Sequence, residues 1–223
     1  MFGPLYDDKH RFFGISNNPK KNNRIYQKGL REELLCRQCE GRLSRYENYA
    51  RNVFFGDALT RPARSKVGLV FSDVEYKPLK LFLMSLLWRF SVTKIEHYRK
   101  IDLGPHQEPL RDMIISDNPG NWLVFPCMIT GLLFEGRHIA DFVIPPMQTR
   151  FNGQRVWVFV IAGLLFHFFV SNQPPPDRIH GAFLREDGLL HVPISDIREI
   201  PSLMYWMKEM AEAEKTRIKQ IAN

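Results

Sequence analysis

The chain has few cysteines and no long apolar segment. Three cysteines among 223 residues exclude a fold that depends on several disulfide bonds for its stability, and we expect a reducing, cytoplasmic setting. Residues 1–8 do not show the pattern of a secretory signal. The longest apolar run, residues 156–170, is shorter than the roughly 20 residues of a membrane-spanning helix. Because this run is rich in Val and Phe and contains Gly163, it predicts two buried strands that meet near Gly163, with no membrane partner.

Several familiar catalytic patterns are also missing. The sequence contains no Ser-His-Asp set, no glycine-rich phosphate loop and no His-Glu-x-x-His motif, so it gives no support to the enzyme classes that depend on them. It does contain ample material for a core. Hydrophobic residues make up 44% and charged residues 25%, close to the average of globular proteins, and 17 Phe predict a core built around aromatic rings.

Positive charge is concentrated at the N-terminal end. Residues 1–64 hold 13 Lys and Arg against 7 Asp and Glu, a net charge of +6, whereas residues 65–223 hold 18 against 17, a net charge of +1. Clustered cations release counterions from phosphates, so this asymmetry indicates nucleic-acid contact. A basic surface that serves solubility is the alternative, and charge alone does not separate the two.

Turn signals and hydrophobic periodicity divide the chain into a small basic segment, residues 1–64, and a larger domain, residues 65–223. The fold class is α+β. After Ala211 the last helix becomes charged, and we expect its end to project. The predicted elements are a strand over 11–15, a polar loop over 14–28, a helix over 38–54, helices within 77–116 (the short ones over 93–100 and 107–116), an antiparallel sheet over 121–192 and a terminal helix over 201–221.

The sharpest motif is Cys36-Arg37-Gln38-Cys39, at the start of the first predicted helix. This spacing lets two thiolates bind one tetrahedral zinc ion, and a helix N-terminus favours negative charge on sulfur. A structural zinc site needs further ligands, for which Cys127 and His10 are candidates. The same spacing occurs in thiol–disulfide centres, although no βαβ pattern surrounds it here. Two thiols without a metal are the third interpretation.

The segment around this motif reads GLREELLCRQCE over residues 29–40, and LLWRFSV and LGPH follow over 86–92 and 103–106. These segments resemble bacterial proteins related to HNH endonucleases, in which the cysteine segment forms the second half of a treble-clef zinc site. The resemblance covers residues 10–120. It implies a treble-clef-like N-terminal segment, with Cys36 and Cys39 as zinc ligands.

Those relatives also carry an earlier Cys-x-x-Cys and a His-Ile-Ile-Pro-like segment, whose histidine serves the nuclease centre. Neither occurs in these 223 residues, which begin with MFGPLY where that segment would have just ended. We therefore expect an incomplete nuclease centre. Cleavage by the family's mechanism would need the histidine from an upstream extension or from a partner chain.

Basic residues near the motif are candidate nucleic-acid ligands, because guanidinium and ammonium groups bind phosphates. Tyr46 and Tyr49 lie among them, and their helical spacing predicts core positions rather than stacking on bases. Arg89, inside the most apolar helix, is expected to be a paired arginine. The predicted nucleic-acid-binding residues are Lys20, Lys21, Arg24, Arg42, Arg45, Arg51, Arg61 and Arg64.

The histidines do not suggest a catalytic set. His106 and Glu108 are two positions apart and converge only in a loop, so we expect a helix start with Glu108 in its first turn. His138 and Asp141 are expected on opposite faces of a strand, and His167 is expected to be a hydrogen-bonded core residue. No sequence pattern assigns the remaining histidines to a site; they are His97, His180 and His191.

Two functions from different classes follow. The first is a nucleic-acid-associated, HNH-related protein of a prokaryotic defence or DNA-processing system, with DNA or RNA as partner and a structural zinc half-site. The alternative is a non-catalytic interaction subunit or homodimer, which uses its apolar C-terminal half with Trp206 and Met210. In a homodimer, two half-sites can build one four-cysteine zinc site.

Overall fold

The computed structural model shows a mixed α and β architecture. It describes residues 8–9, 11–16, 18, 20–21, 23–27, 32–56, 62–95, 98 and 101–222, with backbone only for 221 and 222. The strands are β1 (Arg11–Gly14), β2 (Arg24–Gln27), β3 (Ala63–Arg64), β4 (Gly68–Phe71), β5 (Cys127–Phe134), β6 (Arg137–His138), β7 (Val143–Phe151), β8 (Gln154–Ile161), β9 (Leu164–Phe169) and β10 (Leu190–Asp196). The helices are α1 (Arg37–Phe55), α2 (Tyr76–Val92), α3 (Gln107–Ile115) and α4 (Pro201–Ala222), and short 3₁₀ helices cover 104–106, 177–182 and 197–199.

The main sheet has eight strands in the order β3-β4-β10-β5-β9-β8-β7, with β6 paired to β5. All pairs are antiparallel except β10 with β5, which run parallel. The predicted, mostly antiparallel sheet is confirmed. Its predicted limits of 121–192 are too narrow, because β4 pairs with β10, Phe71 opposite Leu190, and brings β3 into the same sheet.

The apolar run over 156–170 folds into β8 and β9, which meet at Ala162 and Gly163, as predicted. Alternate side chains of β8 enter two different cores, Val158 on one face of the sheet and Phe159 on the other. A strand buried on both faces reads as a continuous apolar run. Within the described ranges, no helix is both long and apolar enough to cross a bilayer.

Helix α2 lies in the middle of the larger core. Residues 79–87 are all buried, as their apolar character all round the helix predicts. α1 and α3 pack against α2, and Phe90 packs edge-on against Phe159 of β8 with ring centroids 4.6 Å apart. The smaller core lies on the other face of the sheet, where the first turns of α4 contribute Leu203.

Helix α1 belongs to the larger core as well. Its buried residues are Leu43, Tyr46, Ala50 and Val53, the positions that the spacing predicts. Both α1 and β3 precede the predicted boundary at 64/65, yet they join the core and the sheet that the following residues build. Helix α1 of the first predicted segment therefore shares its core with the second segment, and β3 shares its sheet.

The charged end of α4 packs against the N-terminal hairpin. Arg217 is 6% exposed and donates to the backbone carbonyl oxygens of Ser16 and Lys21 at 2.8 and 3.2 Å. Asn23 donates to the Glu214 carboxylate at 3.1 Å. The prediction that this end projects is wrong, because the β1–β2 hairpin supplies carbonyl groups that satisfy a buried guanidinium.

Two other local predictions are also wrong. The polar segment predicted as a loop contains β2, which pairs with β1 and stacks Tyr26 on Phe12 at 5.0 Å between ring centroids. The predicted helix over 93–100 does not begin at 93–95, because Thr93 ends α2 in extended backbone.

Candidate functional site

The cysteine pair lies at the first turn of α1. Cys36 is the exposed N-cap residue, with φ −70° and ψ 160°, and Cys39 is half-buried behind it. The nearby backbone N–H and thiol of Cys39 lower the pKa of the Cys36 thiol, whereas the Cys36 thiol raises the pKa of the Cys39 thiol. The more acidic thiol therefore faces solvent.

The described residues do not complete a zinc site around this pair. No group of three His, Cys, Asp or Glu side chains comes together among them, whereas structural zinc normally has four ligands. The structure does not bring Cys127 to the pair: it is 2% exposed in β5, and burial raises the pKa of its thiol. His10 lies outside the described residues. Zinc at Cys36 and Cys39 thus stays a prediction that needs ligands from elsewhere.

A pocket of about 240 Å³ opens beside the two thiols, where α1, α2 and α3 meet. Leu35 and Ile114 contribute apolar walls, and Trp88 of α2 lines the same pocket. The indole Nε1 of Trp88 is buried and has no hydrogen-bond partner among the described residues. Arg42 and Arg111 add two guanidinium groups to the lining. The pocket thus combines a thiol pair, apolar walls and two guanidinium groups.

The predicted nucleic-acid-binding residues are divided among three elements. Each element carries part of the basic charge, and only the part on α1 adjoins the cysteine pair. The β1–β2 hairpin carries Lys20, Lys21 and Arg24, α1 carries Arg42, Arg45 and Arg51, β3 carries the exposed Arg64, and Arg61 lies outside the described part of the chain.

One side of α1 carries three arginines that make no hydrogen bond or ion pair within the described ranges. They are Arg37, Arg45 and Arg51, all exposed, with the exposed Asn48 between them. We call these four residues the arginine face. Sequence reasoning missed Arg37 because it was considered only as part of the cysteine motif. Arg37 lies fourteen positions before Arg51, about four helical turns, so the helical period places the two on the same side of α1.

The other charged side chains of α1 are used differently. Arg42 lies off the arginine face and donates to the carbonyl oxygen of Ile115 in α3. Glu47 pairs with Arg89 of α2 at 2.5 Å, which confirms the predicted pairing of Arg89. Glu40 is exposed in the first turn. Glu40 lies three positions after Arg37 and is therefore a helix-surface neighbour of the first arginine of this face.

Both tyrosines of α1 are held inside the fold. The Tyr46 hydroxyl donates to the Asp117 carboxylate, and the Tyr49 hydroxyl accepts the backbone N–H of Glu75 at 2.6 Å. Burial, the largest cause, raises the pKa of Tyr46 to about 12. The predicted core positions are confirmed, so these rings are not available to stack on bases.

The histidines do not form a catalytic set in the described residues. Glu108 lies in the first turn of α3, as predicted, and His106 ends the 3₁₀ turn before it. His138 and Asp141 line the same open pocket of about 610 Å³, because β6 ends at His138 and strand alternation does not reach Asp141. The Nδ1 of His167 is buried and has no hydrogen-bond partner in the described part of the chain, so the hydrogen bond expected there is not found for this atom; burial lowers the pKa of His167 to about 4. Of the others, His180 contacts the Pro175 carbonyl oxygen at 2.8 Å, His191 lies on β10, and His97 lies outside the described residues.

Two apolar residues assigned to a partner surface already pack within the chain. Met210 is 9% exposed, and Trp206 packs against the smaller core. The alternative function as an interaction subunit gains no free surface from these two side chains.

One buried charged residue escaped sequence reasoning altogether. Lys80 of α2 is 2% exposed, and its Nζ donates to the carbonyl oxygens of Phe125 and Trp122 at 3.1 and 3.5 Å. Burial lowers its pKa to about 8. A lysine inside the otherwise apolar stretch of residues 79–84 was the available signal.

Comparisons with known protein families, with curated proteins and with solved structures find no match to this chain. The resemblance to HNH-related proteins therefore rests on the quoted sequence segments alone.

Proposed function

We propose that the chain binds duplex nucleic acid through the arginine face of α1. The observation that carries this proposal is the alignment of three exposed arginines, unpaired among the described residues, on one side of a 19-residue helix. A helix of that length is about 28 Å long and roughly 10 Å wide, and the major groove of B-DNA admits a helix of this width. Arg and Asn are side chains that contact phosphates and base edges there.

A duplex fits the site better than a single strand does. Single strands are held by rings that stack on successive bases, and Tyr46 and Tyr49 are committed to the core. DNA fits better than duplex RNA because the major groove of A-form RNA is too narrow for side chains to read. The resemblance to HNH-related proteins supports the proposal that such binding serves prokaryotic defence or DNA processing. The proposal concerns binding, because the described histidines and acids do not assemble a nuclease centre.

The test is fluorescence anisotropy with a labelled short DNA duplex at several salt concentrations. Replacing Arg45 and Arg51 by Gln should weaken binding roughly tenfold and reduce the slope of log affinity against log salt by about two. The matched control replaces Arg137 and Lys208 by Gln, which removes the same charge from two exposed positions that make no ion pair among the described residues.

Equal losses in the two double variants would contradict the proposal, because they would show a response to net charge alone. Binding that is as tight to single strands or to duplex RNA would contradict the assignment to duplex DNA. Circular dichroism of both variants checks that α1 remains folded.

A further inference from the structure

The cysteine pair and the pocket beside it support an activity that is independent of nucleic-acid binding. Exchange between a dithiol and a disulfide requires an accessible attacking thiol and a second thiol within reach of it. Cys36 is exposed at the N-cap of α1, and Cys39, half-buried three positions later, lines the same pocket. A βαβ pattern marks thioredoxin-like folds, but the exchange chemistry itself needs only this arrangement of two thiols at a helix start.

The pocket gives the thiols a place to hold a reaction partner. Its volume of about 240 Å³ suits part of a small molecule, and its walls at Leu35 and Ile114 are apolar. The ring of Trp88 adds to the lining beside the two thiols. Arg111 lines the same pocket and is 46% exposed, with its carboxylate neighbours at 3.4 and 3.7 Å. Guanidinium groups at the pocket favour an anionic ligand.

We propose that Cys36 and Cys39 form a dithiol–disulfide exchange centre whose pocket takes a small disulfide bearing carboxylates. The Cys36 thiolate attacks one sulfur of that disulfide, the ligand's S–S bond breaks, and the leaving thiolate takes a proton from water. Cys39 then loses its proton to solvent and attacks the Cys36 Sγ, which releases the second ligand thiol. In total, the protein dithiol loses two hydrogen atoms to become a disulfide, and the ligand disulfide becomes two thiols.

The experiment uses the reduced 223-residue chain, with glutathione disulfide as the anionic probe and cystamine as the cationic one. Mass spectrometry of acid-quenched samples follows the adducts. Wild-type protein should form the Cys36–Cys39 disulfide, Cys39→Ser should accumulate a glutathione adduct on Cys36, and Cys36→Ser should not react at Cys39 at a comparable rate. Cys127→Ser, at a buried position, is the matched control and should behave as wild type. Arg111→Gln should slow the reaction with glutathione disulfide roughly threefold or more and leave the reaction with cystamine unslowed.

Three results would overturn the proposal. One is purified protein that carries zinc on the two thiols at one ion per chain, or at half an ion per chain in a dimer. Another is equal reactivity of Cys36 and Cys39 in the single variants. The third is wild-type protein that stays fully reduced in glutathione buffers, a measurement that needs no variant and holds even if a substitution unfolds the chain.

Discussion

Lys80 gives the sharpest test of the energetics of this fold. Its ammonium group is buried in α2 against two backbone carbonyls, and burial lowers its pKa from 10.5 to about 8. That difference corresponds to roughly 3 kcal/mol between the folded and unfolded chains. Below about pH 8 both states carry the proton, so the full cost of the buried charge is present. Between about pH 8 and pH 10.5 the unfolded chain binds more protons, so stability rises with pH.

The perturbation is Lys80→Met, which removes the titrating group and leaves the two carbonyls without their donor. Between pH 7 and pH 10.5, the free energy of unfolding of the wild type should increase relative to that of the variant by roughly 3 kcal/mol. Taking this difference cancels the contributions of other titrating groups, such as tyrosines, as long as both proteins share them. Lys208→Met, at an exposed lysine, is the control, and its free energy of unfolding should change with pH as that of the wild type does.

The assay is urea unfolding followed by tryptophan fluorescence at several pH values in that interval, with reversibility checked at each. The reasoning would be refuted if the free energies of unfolding of the wild type and of Lys80→Met differed by the same amount at every pH in the interval. They would mean that the burial of this lysine does not couple its proton to folding.

Two further predictions concern backbone contacts. Arg217→Met should release the β1–β2 hairpin from α4, because the carbonyl oxygens of Ser16 and Lys21 lose their donor; hydrogen exchange in residues 11–27 should accelerate while β8 and β9 stay protected. Unchanged exchange there would show that the hairpin is held by other contacts. Gly163→Ala should destabilise the fold by several kcal/mol in thermal or urea unfolding, because φ at Gly163 is +75° and an added Cβ would overlap a backbone carbonyl oxygen. The control is Gly153→Ala, where φ is +80° but the space around the Cβ is open. That variant should lose only about 1 kcal/mol of stability. Equal losses of stability in Gly163→Ala and Gly153→Ala would contradict the steric explanation.

The candidate site was partly predictable. The buried stripe of α1, including Tyr46, followed from local helical spacing, and the same spacing placed Arg45 and Arg51 outside that stripe. The cysteine motif placed two thiols at a helix start, as the structure shows. Spacing alone did not show that Arg42 leaves the exposed side, because its carbonyl partner lies 73 residues further along the chain.

The mostly antiparallel sheet, the two strands that meet at Gly163 and the apolar helix α2 were predictable from the sequence, because strand and helix periods are local properties of the chain. Tertiary contacts place β4 in the sheet beside β10, bury Arg217 under the hairpin, and form a pocket beside the thiols. These features depend on contacts between residues far apart in the chain, and their energies come from burial and hydrogen bonding that no local pattern encodes.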